Sequence, residues 1–119
     1  MLHINIICIG KLKEQYLKDA LNEYSKRLYK YCSLKIIELP DEKVPENLNA
    51  NIINKIKEIE SNNILSHIKN NSYTIALDLH GKQLSSEEFS LKIENIALNN
   101  NSNINFIIGG TLGLSDKLL

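Results

Sequence analysis

The sequence predicts an α/β fold, a mostly parallel sheet with helices on both faces. Three observations predict it. Short β-branched runs alternate four times with longer stretches, most of them of helical apolar spacing, across the 119 residues. The short runs are close to continuously apolar, as strands covered on both faces are. The segments between them are long enough to cross over and return as parallel neighbours. At this length the chain forms one domain, residues 1–119, with room for its own core.

Residues 3–9 (His-Ile-Asn-Ile-Ile-Cys-Ile) form the first strand, and Gly10 ends it. Residues 13–31 read as a helix, with Leu17, Ala20, Leu21, Tyr24, Leu28 and Tyr31 on one apolar stripe. Glu14 with Lys18, and Glu23 with Arg27, are favourable pairs four apart. Tyr16 and Tyr29 lie off the stripe, at its partly buried margin or against a partner. Residues 34–39 are the second strand, closed by Pro40 and followed by a polar, acidic loop. Asp41, Glu42 and Glu46 in that loop lack the regular spacing of metal ligands, so no metal is expected.

Residues 51–69 are the second helix. Ile52, Ile56, Ile59, Ile64 and Ile68 carry its core face, broadened by Ile53 and Leu65. Residues 73–79 (Tyr-Thr-Ile-Ala-Leu-Asp-Leu) are the third strand, with His80-Gly81-Lys82 at its carboxyl end. Asp78 in this apolar run needs either solvent or a partner. His80 is a candidate general base, although a lone loop histidine is the plainer reading. Ser85-Ser86-Glu87-Glu88 is a capping box, with Leu84 and Phe89 placed as a hydrophobic staple, and it opens the third helix.

Residues 104–108 (Ile-Asn-Phe-Ile-Ile) are the fourth strand and run straight into Gly109, Gly110 and Gly113. Such a turn lets backbone groups approach a ligand at the carboxyl edge of a sheet. The spacing matches neither the dinucleotide fingerprint nor the phosphate loop with its trailing lysine, so a turn requiring positive φ is an equal alternative. Ser115 is a helix start. If the strands preceding His80 and Gly109 are neighbours, their two loops form a ligand crevice.

Net charge is zero but uneven: through Lys35, seven Lys/Arg stand against three acids, and from Ile36 to Glu60 three lysines against six acids. A basic first third suits a phosphate-bearing partner or a solvated helix face. Cys8 and Cys32 have no metal or redox spacing, and Cys8 reads as a small buried hydrophobe. The start has no basic n-region and only a short apolar run, and no run reaches membrane-spanning length, so a cytoplasmic protein without membrane contact is expected.

Five blocks in order carry a family resemblance. They are Ile-Gly-Lys-Leu-Lys-Glu at 9–14, Glu-Tyr-x-Lys-Arg-Leu at 23–28 and Leu-Pro-Asp-Glu-Lys-x-Pro-Glu-Asn at 39–47. The last two are Leu-Asp-Leu-x-Gly-Lys-x-Leu-Ser-Ser-Glu at 77–87 and Phe-Ile-Ile-Gly-Gly-x-x-Gly-Leu at 106–114. Together they resemble the RlmH family of ribosomal large-subunit methyltransferases, within the knotted SPOUT class of S-adenosylmethionine-dependent enzymes. The resemblance implies N3-methylation of a pseudouridine in 23S rRNA by a homodimer acting on assembled ribosomes. It also implies that Leu77 and Gly109 bind S-adenosylmethionine, Leu77 as an apolar wall for the adenine and Gly109 as an opening to backbone groups. It names no catalytic residue in this chain. The family continues with a further strand and helix that thread the knot and complete the cofactor loop, and that segment is missing from these residues. The alternative is therefore an inactive fragment serving only as a binding or dimerisation module. A flavodoxin-like nucleotide binder comes last, since no Lys or Ser/Thr cluster follows the glycines. Candidate RNA contacts are Lys11, Lys13, Lys26, Arg27 and Lys30.

Overall fold

In the computed structural model, residues 2–99, 102–110, 112–115 and 118–119 are described. Four strands, β1 (Leu2–Ile9), β2 (Cys32–Leu39), β3 (Tyr73–Leu77) and β4 (Asn103–Ile108), pair in the order β2-β1-β4-β3. All three pairings are parallel. Three helices, α1 (Gln15–Leu28), α2 (Ala50–Leu65) and α3 (Ser86–Leu98), fill the crossovers. The predicted α/β architecture is therefore present.

Register determines what each face carries, because alternate side chains point to opposite sides. Ile7 stands level with Ile37 and Ile107. These residues share a face with Leu39, and α2 covers it through Ile64 to make the core with Leu114. Ile7, Ile64 and Ile107 are at most 1% exposed. Full burial of such a side chain is worth about 1.5–3 kcal/mol, so this face dominates stability. Ile6, Cys8, Ile36 and Phe106 point the other way. There Leu21 of α1 closes a cleft over Ile6, Cys8 and Ile36, and Phe89 of α3 meets the Phe106 ring at 5.8 Å.

Local chemistry sets the ends of the elements. Asn49 caps α2, its Oδ1 accepting the Ile52 N–H at 2.9 Å. α2 stops at Leu65, short of the predicted residue 69. The Ser66 hydroxyl donates to the Asn63 carbonyl at 2.6 Å, His67 Nδ1 lies 2.9 Å from the same oxygen, and the last turn tightens. β3 ends at Leu77, two residues early, because its partner β4 ends at Ile108 opposite. The Asp78 carbonyl then accepts the Gly81 N–H at 3.0 Å and its carboxylate the His80 N–H at 3.3 Å, forming a turn. The capping box is formed in both halves: Ser85 Oγ accepts from Glu88 N at 3.1 Å, and Glu88 Oε1 from Ser85 N at 3.2 Å.

α1 departs most from expectation. It is shorter than residues 13–31 and has no buried residue. Of its stripe only Leu21 is half-buried, and Tyr24 stays 62% exposed. The fourth helix start falls partly outside the described residues. Ser115 nonetheless behaves as a cap, its Oγ accepting the Leu118 N–H at 3.3 Å.

Candidate functional site

β3 and β4 are neighbours, so the turns that follow them emerge side by side at the carboxyl edge. Leu77 is paired with Ile108, and Gly109 is the next residue of β4's strand path. Between these turns lies a cavity of about 470 Å³, lined by Leu77, Asp78, His80, Gly109 and Gly110, with Lys57 reaching in from α2. Small-molecule sites occupy roughly 300–1,000 Å³, so this cavity is of ligand size. The sequence placed Leu77, His80 and Gly109 as site candidates, and the fold brings all three to one cavity.

The glycines have separate reasons. Gly113 has φ +86°, a left-handed conformation that favours glycine, and its N–H returns to the Gly110 carbonyl at 3.0 Å. Gly109 is needed for closeness: a Cβ there would stand 2.9 Å from Leu114 Cδ2 and 3.2 Å from the Gly113 carbonyl carbon. Leu114 is buried in the core. The turn is therefore folded back onto the sheet by a core leucine, with its backbone facing the crevice.

One residue that lines the cavity, Lys57, escaped the sequence reading, as did two polar residues buried behind it. Lys57, Glu60 and Ser61 all belong to α2. Glu60 and Ser61 are buried, at 5% and 2% exposure. Glu60 Oε2 accepts the Glu42 N–H at 3.0 Å, and Ser61 Oγ accepts the Ser115 N–H at 3.3 Å. The signal for Glu60 was legible: it stands between Ile56 and Ile64 at four-residue spacing, an acid inside an apolar stripe.

The other predicted groups lie elsewhere. Asp41, Glu42 and Glu46 are exposed on the loop after β2. Among the described residues no group of three or more His, Cys, Asp or Glu could hold a metal ion. Among the same residues no helix is long and apolar enough to cross a membrane. Cys8 is half-buried and Cys32 buried, both as free thiols. Burial, and then the carboxylate of Glu38, push the Cys8 thiol above the ordinary range, which keeps it protonated and unreactive at neutral pH.

Comparison with known proteins identifies the family. Residues 2–119 match the family model described as predicted SPOUT methyltransferase. The chain belongs to the SPOUT methyltransferase family. Among its relatives is the ribosomal RNA large subunit methyltransferase H of Clostridium botulinum strain 657, 58% identical over 99% of this chain and 74% of that protein. The protein of the same name from Clostridium acetobutylicum is 57% identical with the same coverage. Ribosomal RNA large subunit methyltransferase H 1 of Clostridium perfringens is 54% identical, again over 99% and 74%. At these identities the resemblance to the RlmH branch holds along the whole chain. The crevice at Leu77 and Gly109 offers open backbone, an apolar wall and a cation together.

Proposed function

We propose that this chain binds S-adenosylmethionine in the crevice between β3 and β4 and acts in N3-methylation of a pseudouridine in 23S rRNA. The observation that carries this reading is the convergence of Leu77 and Gly109 on one ligand-sized cavity. The residues fit the group. Leu77 is 53% exposed and offers uncovered apolar surface to an adenine ring. The turn at Gly109 and Gly110 presents backbone donors and acceptors with no side chain in the way. Lys57 supplies a positive charge suited to the carboxylate of the amino-acid moiety.

The bound donor supplies an electrophilic methyl group on a sulfonium. What this chain adds is alignment: a sheet edge and a backbone cradle that hold the donor in one orientation. His80, exposed on the lip of the crevice, is a side chain able to take a proton from an incoming base. Ribosomal RNA is the substrate by kinship with relatives bearing that name, and it would be gripped by phosphate contacts and by shape. Homodimerisation belongs to the same reading. Leu17, Tyr24 and Leu28 leave an apolar stripe on α1 open to a second copy. A substrate on the ribosome implies the cytoplasm.

The test is direct. Purified protein is incubated with S-adenosylmethionine and ribosomes lacking the modification, and 23S rRNA nucleosides are read by mass spectrometry. Appearance of N3-methylpseudouridine is the expected result. Absence of both methylation and donor binding, the latter in a calorimetric titration, would support the alternative, a non-catalytic binding or dimerisation module that keeps the fold without cofactor affinity.

A further inference from the structure

The sheet face beneath α2 changes character along its strands. The row at Ile7, Ile37 and Ile107 is apolar, but the two rows before it are polar. His3 stands level with Ser33 and Asn103, and Asn5 with Lys35 and Asn105. α2 ends at Leu65, and the chain that follows brings His67 and Lys69 to these rows. A cavity of about 240 Å³ lies between them, at the strand ends opposite the crevice. Its floor is a bonded network. Asn105 is 1% exposed, and an amide so placed needs partners. Its Oδ1 accepts from Asn5 Nδ2 at 3.1 Å, and its Nδ2 donates to Ser72 Oγ at 2.9 Å. The Ser72 hydroxyl donates in turn to the Lys69 carbonyl. These bonds tie β1 and β4 to the segment that carries Lys69. His67 is held by Nδ1, 2.9 Å from the Asn63 carbonyl. The walls are cationic: Lys35 and Lys69 line the cavity with His3 and His67, and no carboxylate does. Among the described residues neither lysine has an ion-pair partner.

We infer that this cavity binds a phosphate group. A cleft lined by charge of one sign focuses the field and draws counter-ions into it. Lysine binds phosphate as a point charge, and serine, asparagine and histidine side chains add hydrogen-bond donors. The volume falls below the range of sites for larger small molecules, so it suits one tetrahedral anion and not a whole nucleotide. The network at Asn105 gives the position its purpose: it spends buried polar groups to hold two strands and the Lys69 segment in one arrangement, with the lysines left uncommitted. The phosphate is either inorganic phosphate or one group of a nucleic-acid backbone, and the same chemistry recognises both. The site lies apart from the methyl-donor crevice and does not depend on it.

The test follows backbone amide resonances of isotope-labelled protein while sodium phosphate replaces sodium chloride at constant ionic strength. Saturable shifts are expected at His3, Ser33, His67, Lys69 and Asn103. Lys35→Gln and Lys69→Gln, each at an exposed position, should leave the melting temperature unaltered. Each should weaken phosphate binding about tenfold or more, the loss of one charge-assisted hydrogen bond. Shifts that never saturate, or saturation at undiminished affinity in both variants, overturn the inference. Retention of ribosomes on filters then distinguishes the two sources. Weaker retention by the doubly substituted protein assigns the phosphate to RNA. Equal retention, with phosphate binding still lost, assigns it to the free anion.

Discussion

Gly109 and Gly113 sit four residues apart in one turn and are glycines for different reasons. At Gly113 the backbone angle demands it. At Gly109 the angle is ordinary, and the neighbouring Leu114 leaves no space for a methyl group. Gly109→Ala should therefore push Leu114 out of the core cluster. Overpacking of this kind costs about 1–3 kcal/mol. For a domain near this size each kcal/mol lowers the melting temperature by roughly 4–8 °C, which calorimetry resolves. Loss of S-adenosylmethionine affinity should accompany it, since the same shift moves the cradle. The need for glycine was legible in the sequence; which physical demand each one meets was not, because it depends on a leucine folded back from five residues later. Glu60 shows the complementary case. Its place in an apolar stripe was visible, but its partner, the Glu42 N–H, and its neighbour Gly110 come from distant parts of the chain.

Elements read best where the signal was local. The box at Ser85 and Glu88 formed as expected, since both its bonds lie within four residues. Ser85→Ala should lower stability by about 0.5–2 kcal/mol in a denaturant titration and leave donor binding intact, because α3 lies on the face away from α2. Ends set by tertiary pairing were harder. β3 stops where β4 stops, which no residue within β3 announces. The end of α2 turned on Ser66 and His67 competing for one carbonyl. α1 shows the opposite failure: its stripe is real, yet most of it stays exposed, because an apolar stripe says that something covers it and not what.

Across the whole molecule, parallel order places every β-to-α turn at one edge. The basic first third is divided by this rule. Lys11 and Lys13 follow β1 at the crevice edge, whereas Lys26 and Arg27 occupy the last turn of α1, which returns toward the other edge. Charge reversal at Lys11 and Lys13 should weaken ribosome binding and flatten its salt dependence, by roughly 0.7–0.9 in slope for each phosphate no longer neutralised. The same reversal at Lys26 and Lys30 should do less, as filter binding at several salt concentrations would show. The fold class was legible because alternation and apolar runs are properties of the chain itself. The crevice was legible only conditionally, since it required β3 and β4 to be neighbours, and the strand order supplies that condition. The functional reading stands or falls with a methyl donor seated against Leu77 and Gly109. Titrating S-adenosylmethionine into isotope-labelled protein, with backbone amide resonances followed throughout, locates that donor residue by residue. Shifts are expected to concentrate in residues 77–81 and 109–115. Shifts confined to the opposite edge, around His3, Asn103 and Asn105, or none at all at saturating donor, would contradict it.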